Sequence, residues 1–281
     1  MIRRPFGAER PPIAIIGQGT WNVALRAGRD EAIRALRAGV DAGMVHIDTA
    51  ELYGDGGAET LVGDAIADLP REQLFIVSKV MPANATYEGT IRACERSLRR
   101  LRTDYLDCYL LHWRDGKPLE PTMRAFEQLV QDGKIRSLGV SNFDVADLQE
   151  AQAALTRERI ACNQVLYHLG ERTVEAHELP FCREHGIALV AYTPFGRGDW
   201  TDAPGAREVA AIATAHGVSA HTVILAFLTR TDGTFAIPKA STLAHVAGNA
   251  DAATFRLTSA EIATIERAYP LRPRRGGLPT L

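Results

Sequence analysis

The feature that most constrains this chain is an alternation. Eight short apolar, β-rich runs, at residues 13–17, 45–49, 74–79, 105–112, 135–139, 161–165, 187–191 and 235–238, are separated by segments whose apolar residues recur at helical spacing. Ile33, Leu36 and Val40 mark one such helix face, and Ile91, Cys94, Leu98 and Leu101 another. Repeated strand–helix units build a parallel sheet, either doubly wound or closed on itself. Eight units, with polar residues gathered where the strands exit, favour the closed form. The chain has 281 residues and is 46% hydrophobic, enough for one large core. The expectation is therefore an α/β fold, a (β/α)8 TIM barrel with a closed eight-stranded parallel sheet. It spans residues 1–281 as one domain, with a short hairpin before residue 13 covering the barrel floor.

Composition then removes several classes. A net charge of −2 gives no general attraction for nucleic acid. The first residues, MIRRPFGAERPP, lack the apolar core of a signal peptide, and no window is long and apolar enough for a membrane span, so a cytoplasmic location is expected. The four cysteines, Cys94, Cys108, Cys162 and Cys182, are far apart and form no CxxC. They read as buried small hydrophobes in a reducing compartment. A closed barrel has no free sheet edge, which makes a monomer the default.

The strand exits carry the chemistry. Asp48 lies where the second run ends, Tyr53 in the turn beyond it, Lys79 at the end of the third run and His112 at the end of the fourth. Neighbouring parallel strands bring such residues to one mouth. Taken singly, each has a plain reading: a helix cap, a packed ring, a solvated base. Together they form a proton-donating unit. When a hydride reaches a carbonyl carbon, negative charge develops on oxygen, and a nearby donor lowers the barrier. Tyr53 suits that task. A Lys79 ammonium in contact favours the phenolate, and Asp48 behind it holds the amine charged. A neutral His112 can donate to the carbonyl oxygen and fix its angle.

The motifs GQGTW (17–21), HIDTAELYG, IVSKV, LLHW, GVSNF, NQVLYH, YTPFGRG and IPKAS (237–241) occur in this order, and with them the chain resembles the aldo-keto reductase family over nearly its whole length. The resemblance implies an NADPH-preferring reductase of aldehydes and ketones, with Asp48, Tyr53, Lys79 and His112 as its catalytic tetrad. It further implies that Ser141, Asn142 and Gln164 bind the nicotinamide carboxamide while Tyr192 stacks on the ring. Gly19, Thr20, Trp21, Asp48, Thr193, Phe195, Gly196, Ile237, Lys239, Ser241, His245 and Asn249 complete the cofactor candidates. No glycine-rich dinucleotide fingerprint is needed, because in this family the cofactor lies extended across the barrel mouth.

The sequence departs from the family pattern after Lys239. That lysine can meet an adenosine 2′-phosphate, with Ser241 or Thr242 donating to it, but His245 stands where an arginine is usual and Gly248 where a glutamate is. Histidine lacks the planar multi-donor fork of arginine, so NADH use beside NADPH is expected. Trp21, Tyr53, His112, Trp113 and Trp200 are the candidate walls of the substrate pocket, although both Trp21 and Trp113 also fit as rim packing. Short loops suggest an open pocket for small aldehydes, dicarbonyls included, and the loop 193–205 can serve as a lid. The arginines of 272–275 read as a surface tail. Two other functions fit the fold: a cofactor-binding regulatory or interaction subunit, or an unrelated barrel lyase or isomerase. The complete tetrad argues against the first. The second would call for a metal-ligand cluster or a phosphate-binding glycine loop, and neither is seen.

Overall fold

The computed structural model describes residues 1–7, 12–24, 28–274 and 276–281, the side chain of Asp199 excepted. Arg275 of the basic tail therefore lies outside the described residues. The chain begins with an antiparallel hairpin in which β1 (Arg3–Pro5) pairs with β2 (Pro12–Ala14), placing Arg4 opposite Ile13. The apolar run at 13–17 is thus not the first strand of the main sheet. Its start is used in the hairpin, and the parallel sheet begins at β3 (Gln18–Gly19).

From β3 the sheet continues in sequence order through β4 (His46–Asp48), β5 (Phe75–Val80), β6 (Cys108–Leu111), β7 (Leu138–Ser141), β8 (Ile160–Leu166), β9 (Ala188–Tyr192) and β10 (Thr234–Ala236). Every pairing is parallel. Strands β5 to β8 are buried along their whole length, as expected of a parallel sheet covered on both faces. Strand β7 starts later than its apolar run. Ile135 makes only an isolated bridge to Leu106, and the register with β8 shifts between Leu138 and Gly139. At Gly139 a Cβ would lie 2.5 Å from Leu110 Cδ2 and 2.7 Å from Cys162 Sγ, so only glycine allows this packing.

The closed barrel needs correcting. The sheet curls, but it is an open sheet whose edges, β3 and β10, share no ladder. They are linked by two isolated bridges, Ile16 to Ala236 and Gly19 to Lys239, and by single hydrogen bonds such as Gly19 N to Pro238 O at 3.0 Å. The physical cause is local. Strand β3 has two residues, and Pro238 has no N–H to donate, so consecutive pairing cannot build up. Gly19 permits the close approach that does occur, since a Cβ there would sit 2.7 Å from Ile237 O. The argument for a monomer from the absence of edges falls with the closed barrel.

Helices cover the sheet. The first, α1 (Arg29–Asp41), starts after Gly28, with Asp30 and Glu31 in its first turn. It is followed by α2 (Gly57–Ile66) and α3 (Tyr87–Leu101), the latter capped by Thr86, which accepts from Gly89 N. Next come α4 (Glu120–Gln131) and α5 (Val145–Ala153), where Asp144 and Asp147 form a reciprocal capping box. Pro180 sits in the first turn of α6 (Glu178–Glu184), where its missing N–H breaks no helical bond. Gly217 in the left-handed region ends α7 (Ala206–His216), and Ser219 caps α8 (Ala220–Leu228). The helix α9 (Leu243–Ala252) has no counterpart in the sequence reading, and Thr242 is its N-cap. The last, α10 (Ser259–Ala268), has the Thr258–Glu261 capping box. Among the described residues no single helix is long and apolar enough to cross a membrane.

Below the sheet, Phe6 from the hairpin packs on Phe75 and Phe235 with ring centroids 4.7 and 5.1 Å away, and edge-on to His46 at 5.4 Å. His46 is fully buried, and neither of its ring nitrogens has a hydrogen-bond partner. Burial first, and Lys79 second, push its pKa down to about 3. All four cysteines are buried free thiols.

Candidate active site

The C-terminal ends of the strands open into a cavity of about 810 Å³. Beneath its floor lies the Lys79 ammonium, with no exposed side-chain surface. It donates to Asp48 Oδ1 at 2.5 Å, to Thr49 O at 3.0 Å and to the Tyr53 hydroxyl at 3.2 Å. Three donors of one ammonium are thereby spent on one carboxylate, one carbonyl and one phenol, a complete set for a buried lysine. Burial alone would lower the Lys79 pKa, but Asp48 and Tyr53 outweigh it and the net direction is up. The base stays charged because its partners are fixed.

The strands explain the placement. Asp48 ends β4 opposite Val77 of β5, and Lys79 stands two residues further along β5, on the same face of the strand as Val77. Tyr53 comes from the turn after β4, where its N–H is held by Ala50 O. His112 follows the last residue of β6, its N–H held by Val80 O. Its ring stands edge-on to Tyr53 at 5.7 Å and tilted against Trp113 at 4.9 Å. Burial, then Lys79, push His112 down to about 3, so the ring is neutral near pH 7 and has one N–H to give. Its Nδ1 is buried without a partner.

One electrostatic expectation is corrected. The Tyr53 pKa is raised from its ordinary value, because burial outweighs the opposing pull of Lys79. The phenol is therefore held protonated, with Lys79 limiting the rise.

Gln164 Nε2 donates to Asp48 Oδ2 at 2.7 Å, so its amide nitrogen buttresses the carboxylate. By its residue type alone Gln164 also fits a core hydrogen-bond partner, and the bond to Asp48 is such a contact. Asn142, with φ of 62°, donates from Nδ2 to His112 O and to Ser141 Oγ, and accepts the Tyr192 hydroxyl on Oδ1 at 2.9 Å. Burial raises Tyr192 to about 12. Thr20 donates to Asp48 O at 2.9 Å.

The cavity wall gathers most of the candidates: Gly19, Thr20, Trp21, Asp48, Tyr53, His112, Trp113, Ser141, Asn142, Gln164, Tyr192, Thr193, Phe195, Trp200, Ile237 and Lys239. Lys79 reaches it only through Tyr53 and Asp48. Four candidates do not line it: Gly196, Ser241, His245 and Asn249. His245 is exposed on α9, Asn249 is buried on the same helix, and the Thr242 hydroxyl accepts from His245 N at 3.4 Å as a cap. Helix formation after Ser241 turns these side chains to positions that a linear reading cannot supply.

The chain matches the family model of the aldo/keto reductase family over residues 15–270. The chain belongs to that family.

Relatives of the reductase include the methylglyoxal reductase YeaE of Escherichia coli (strain K12), 47% identical over 91% of this chain and 90% of that protein. The glyoxal reductase of Bacillus subtilis (strain 168) is 37% identical over 84% of this chain and 83% of its own length. A solved aldo/keto reductase from Klebsiella pneumoniae, in complex with NADP and acetate, superposes with a TM-score of 0.91 at 43% identity, covering 100% of both chains.

Arg197 and Gly198, within the segment 195–200 expected as pocket wall, line the cavity of the reductase, and so do Leu52, Arg114, Pro194, His221, Thr280 and Leu281, which were missed in the sequence. For Leu52 the signal was its place beside Tyr53. Arg114 is tied to Asp147 and Glu150 at 2.7 and 2.6 Å. Thr280 and Leu281 have no local signal. They come from the segment read as a surface tail, which is anchored by an ion pair of Arg274 with the buried Glu178.

Proposed function

We propose that Tyr53 is the proton donor of this reductase, with Lys79 holding the phenol in place, Asp48 supporting the lysine and His112 orienting the substrate. The chain is an NADP(H)-dependent reductase of small aldehydes or ketones. The observation that carries the role of Tyr53 is the single ammonium bound at once to Asp48 and to the Tyr53 hydroxyl. The lining fits the cofactor: the amide and hydroxyl groups of Ser141, Asn142 and Gln164, the Tyr192 ring and the Lys239 cation share one cavity. Ser141, Asn142 and Gln164 would hold the carboxamide, Tyr192 the ring face, and Lys239 the adenosine 2′-phosphate.

The hydride comes from the bound dihydronicotinamide. A carbonyl seated between Tyr53 and His112 takes that hydride at carbon, its oxygen gains electron density, and the Tyr53 hydroxyl gives the proton that yields the alcohol. Charge left on the phenolate is balanced by Lys79, already in contact at 3.2 Å. His112, neutral, donates its N–H to the same oxygen. Trp21 and Trp113 line the same cavity and offer apolar surface to the substrate.

The names of the relatives and the short loops support α-dicarbonyls such as methylglyoxal and glyoxal as substrates. A preference for NADPH over NADH rests on Lys239. Exposure of His245 outside the cavity supports a reduced preference, since it offers no substitute for an arginine fork. The tetrad and the cofactor candidates meet at one cavity, which supports a single domain carrying both sites.

Tyr53→Phe keeps the ring and removes the proton. Single-turnover NADPH oxidation with methylglyoxal should slow by about 10²- to 10⁴-fold, while NADPH affinity stays near wild type. An unchanged hydride-transfer step would remove Tyr53 from the role.

A further inference from the structure

At the Lys239 side of the cavity stands a residue with no role in the tetrad. His221 lies in the first turn of α8, two positions after the Ser219 cap, and lines the cavity with Phe195, Trp200 and Lys239. Phe195 meets its ring edge-on at 4.4 Å, and Trp200 meets it edge-on at 5.6 Å. The two aromatics fix the plane of the imidazole without using its nitrogens. Neither ring nitrogen has a hydrogen-bond partner among the described residues. The ring is exposed, is held between two aromatics and lines the cavity, so its N–H is open to an acceptor bound there.

The charges nearby say which acceptor. Of the ionisable groups lining the cavity, Asp48 is engaged by Lys79 and Gln164, and Arg114 is paired with Asp147 and Glu150. Arg197, which makes no ion pair among the described residues, brings positive charge to the cavity wall. His245 on α9 is close enough to His221 to lower its pKa, after burial as the larger cause. Apart from Asp48, no Asp or Glu side chain among the described residues lines the cavity, so its side-chain charge favours an anion.

We propose that His221 is a cofactor-binding residue that donates a hydrogen bond to a phosphate oxygen of the dinucleotide, compensating for the arginine that His245 replaces. This rests on the NADP(H) reading of the cavity. The shared chemistry is a phosphate monoester or diester oxygen, which the 2′-phosphate and the pyrophosphate both present.

The test is calorimetric titration of the full chain with 2′,5′-ADP and with ADP, for the wild type, His221→Phe and His221→Gln. Phenylalanine keeps the edge-on packing and removes the donor, while glutamine restores a donor on a side chain of similar reach. The Phe variant should bind 2′,5′-ADP about tenfold more weakly, the scale of one hydrogen bond to a charged acceptor, and the Gln variant should recover most of that loss. A loss confined to 2′,5′-ADP assigns the contact to the 2′-phosphate, and an equal loss on ADP assigns it to the pyrophosphate. A Phe variant that binds both ligands as the wild type does would overturn the inference while leaving the cofactor reading intact. A wild type that binds neither would overturn the cofactor reading, and this inference with it.

Discussion

The floor of the cavity and its Lys239 side are built in opposite ways. On the floor, Asp48, Lys79 and Gln164 are at most 2% exposed, and each spends its polar atoms on another. At the other end, Arg197 and His221 are exposed and keep donors unspent among the described residues, Arg197 on a loop with three successive residues at positive φ (Gly196, Arg197 and Gly198) and His221 in the first turn of α8. A network that must hold a proton at one atom gains from being complete before substrate arrives. A surface that must accept a charged ligand and release it gains from donors left open. On the roles proposed for these residues, catalysis and binding are thus separated along one cavity.

Beyond the Tyr53 substitution, the sharpest way to break this contrast is Lys79→Met. It leaves the Asp48 carboxylate buried with Gln164 as its remaining side-chain donor, and urea unfolding should show a loss of about 3–5 kcal/mol, the usual cost of orphaning a buried charge. Adding Asp48→Asn should restore part of it. A loss below about 1 kcal/mol would mean that the floor does not depend on its ion pair.

Lowering the pH tests the interior a second way. His46 and His112 each titrate at about 3 in the fold against 6.5 unfolded. Between those values the unfolded chain binds the protons and the native state does not, so stability is full above pH 6.5 and drains as the pH falls toward 3. By pH 5 each histidine should cost about 2 kcal/mol. His46→Leu should remove roughly half of that slope in urea titrations at pH 7 and 5, and an unchanged slope would exclude His46 as a source.

Smaller effects are expected at the open end. Lys239→Ala should cut the ratio of NADPH to NADH affinity by about tenfold, the scale of one charge-assisted contact, read by fluorescence titration with both cofactors. Equal ratios before and after would remove the 2′-phosphate contact. Arg197 adopts φ of 58°, which costs a residue with a Cβ about 1 kcal/mol. Arg197→Gly should therefore raise the unfolding free energy by about that amount, while Arg197→Ala should not. A glycine variant no more stable than the alanine one would show that the loop carries no such strain.

How much could be read from the chain differs between these regions for the same reason. Asp48, Tyr53, Lys79 and His112 are each tied to a strand or to the turn next to it, so strand periodicity placed them at neighbouring exits, and their combination with the motifs around them singled them out. The Lys239 side depends on what comes after β10. There, Thr242 starts a helix instead of a loop, and that single cap carries His245 to an exposed face and Asn249 into the interior. His221 sits among apolar helix residues and gave no sign of facing a cavity. Thr280 and Leu281 reach the pocket through a tail whose path is set by Arg274 and Glu178, nearly a hundred positions apart.

The sequence by itself determined the strand–helix alternation, the order of the parallel strands and the four residues at their exits, because side-chain period and neighbour pairing are local properties of a chain. Only the tertiary structure decided that the sheet stays open, since that depends on whether β3 and β10, more than two hundred positions apart, find consecutive donors for each other. It also decided that burial outweighs Lys79 in setting the Tyr53 proton. Desolvation is a sum over everything packed around a group, and no stretch of sequence carries that sum.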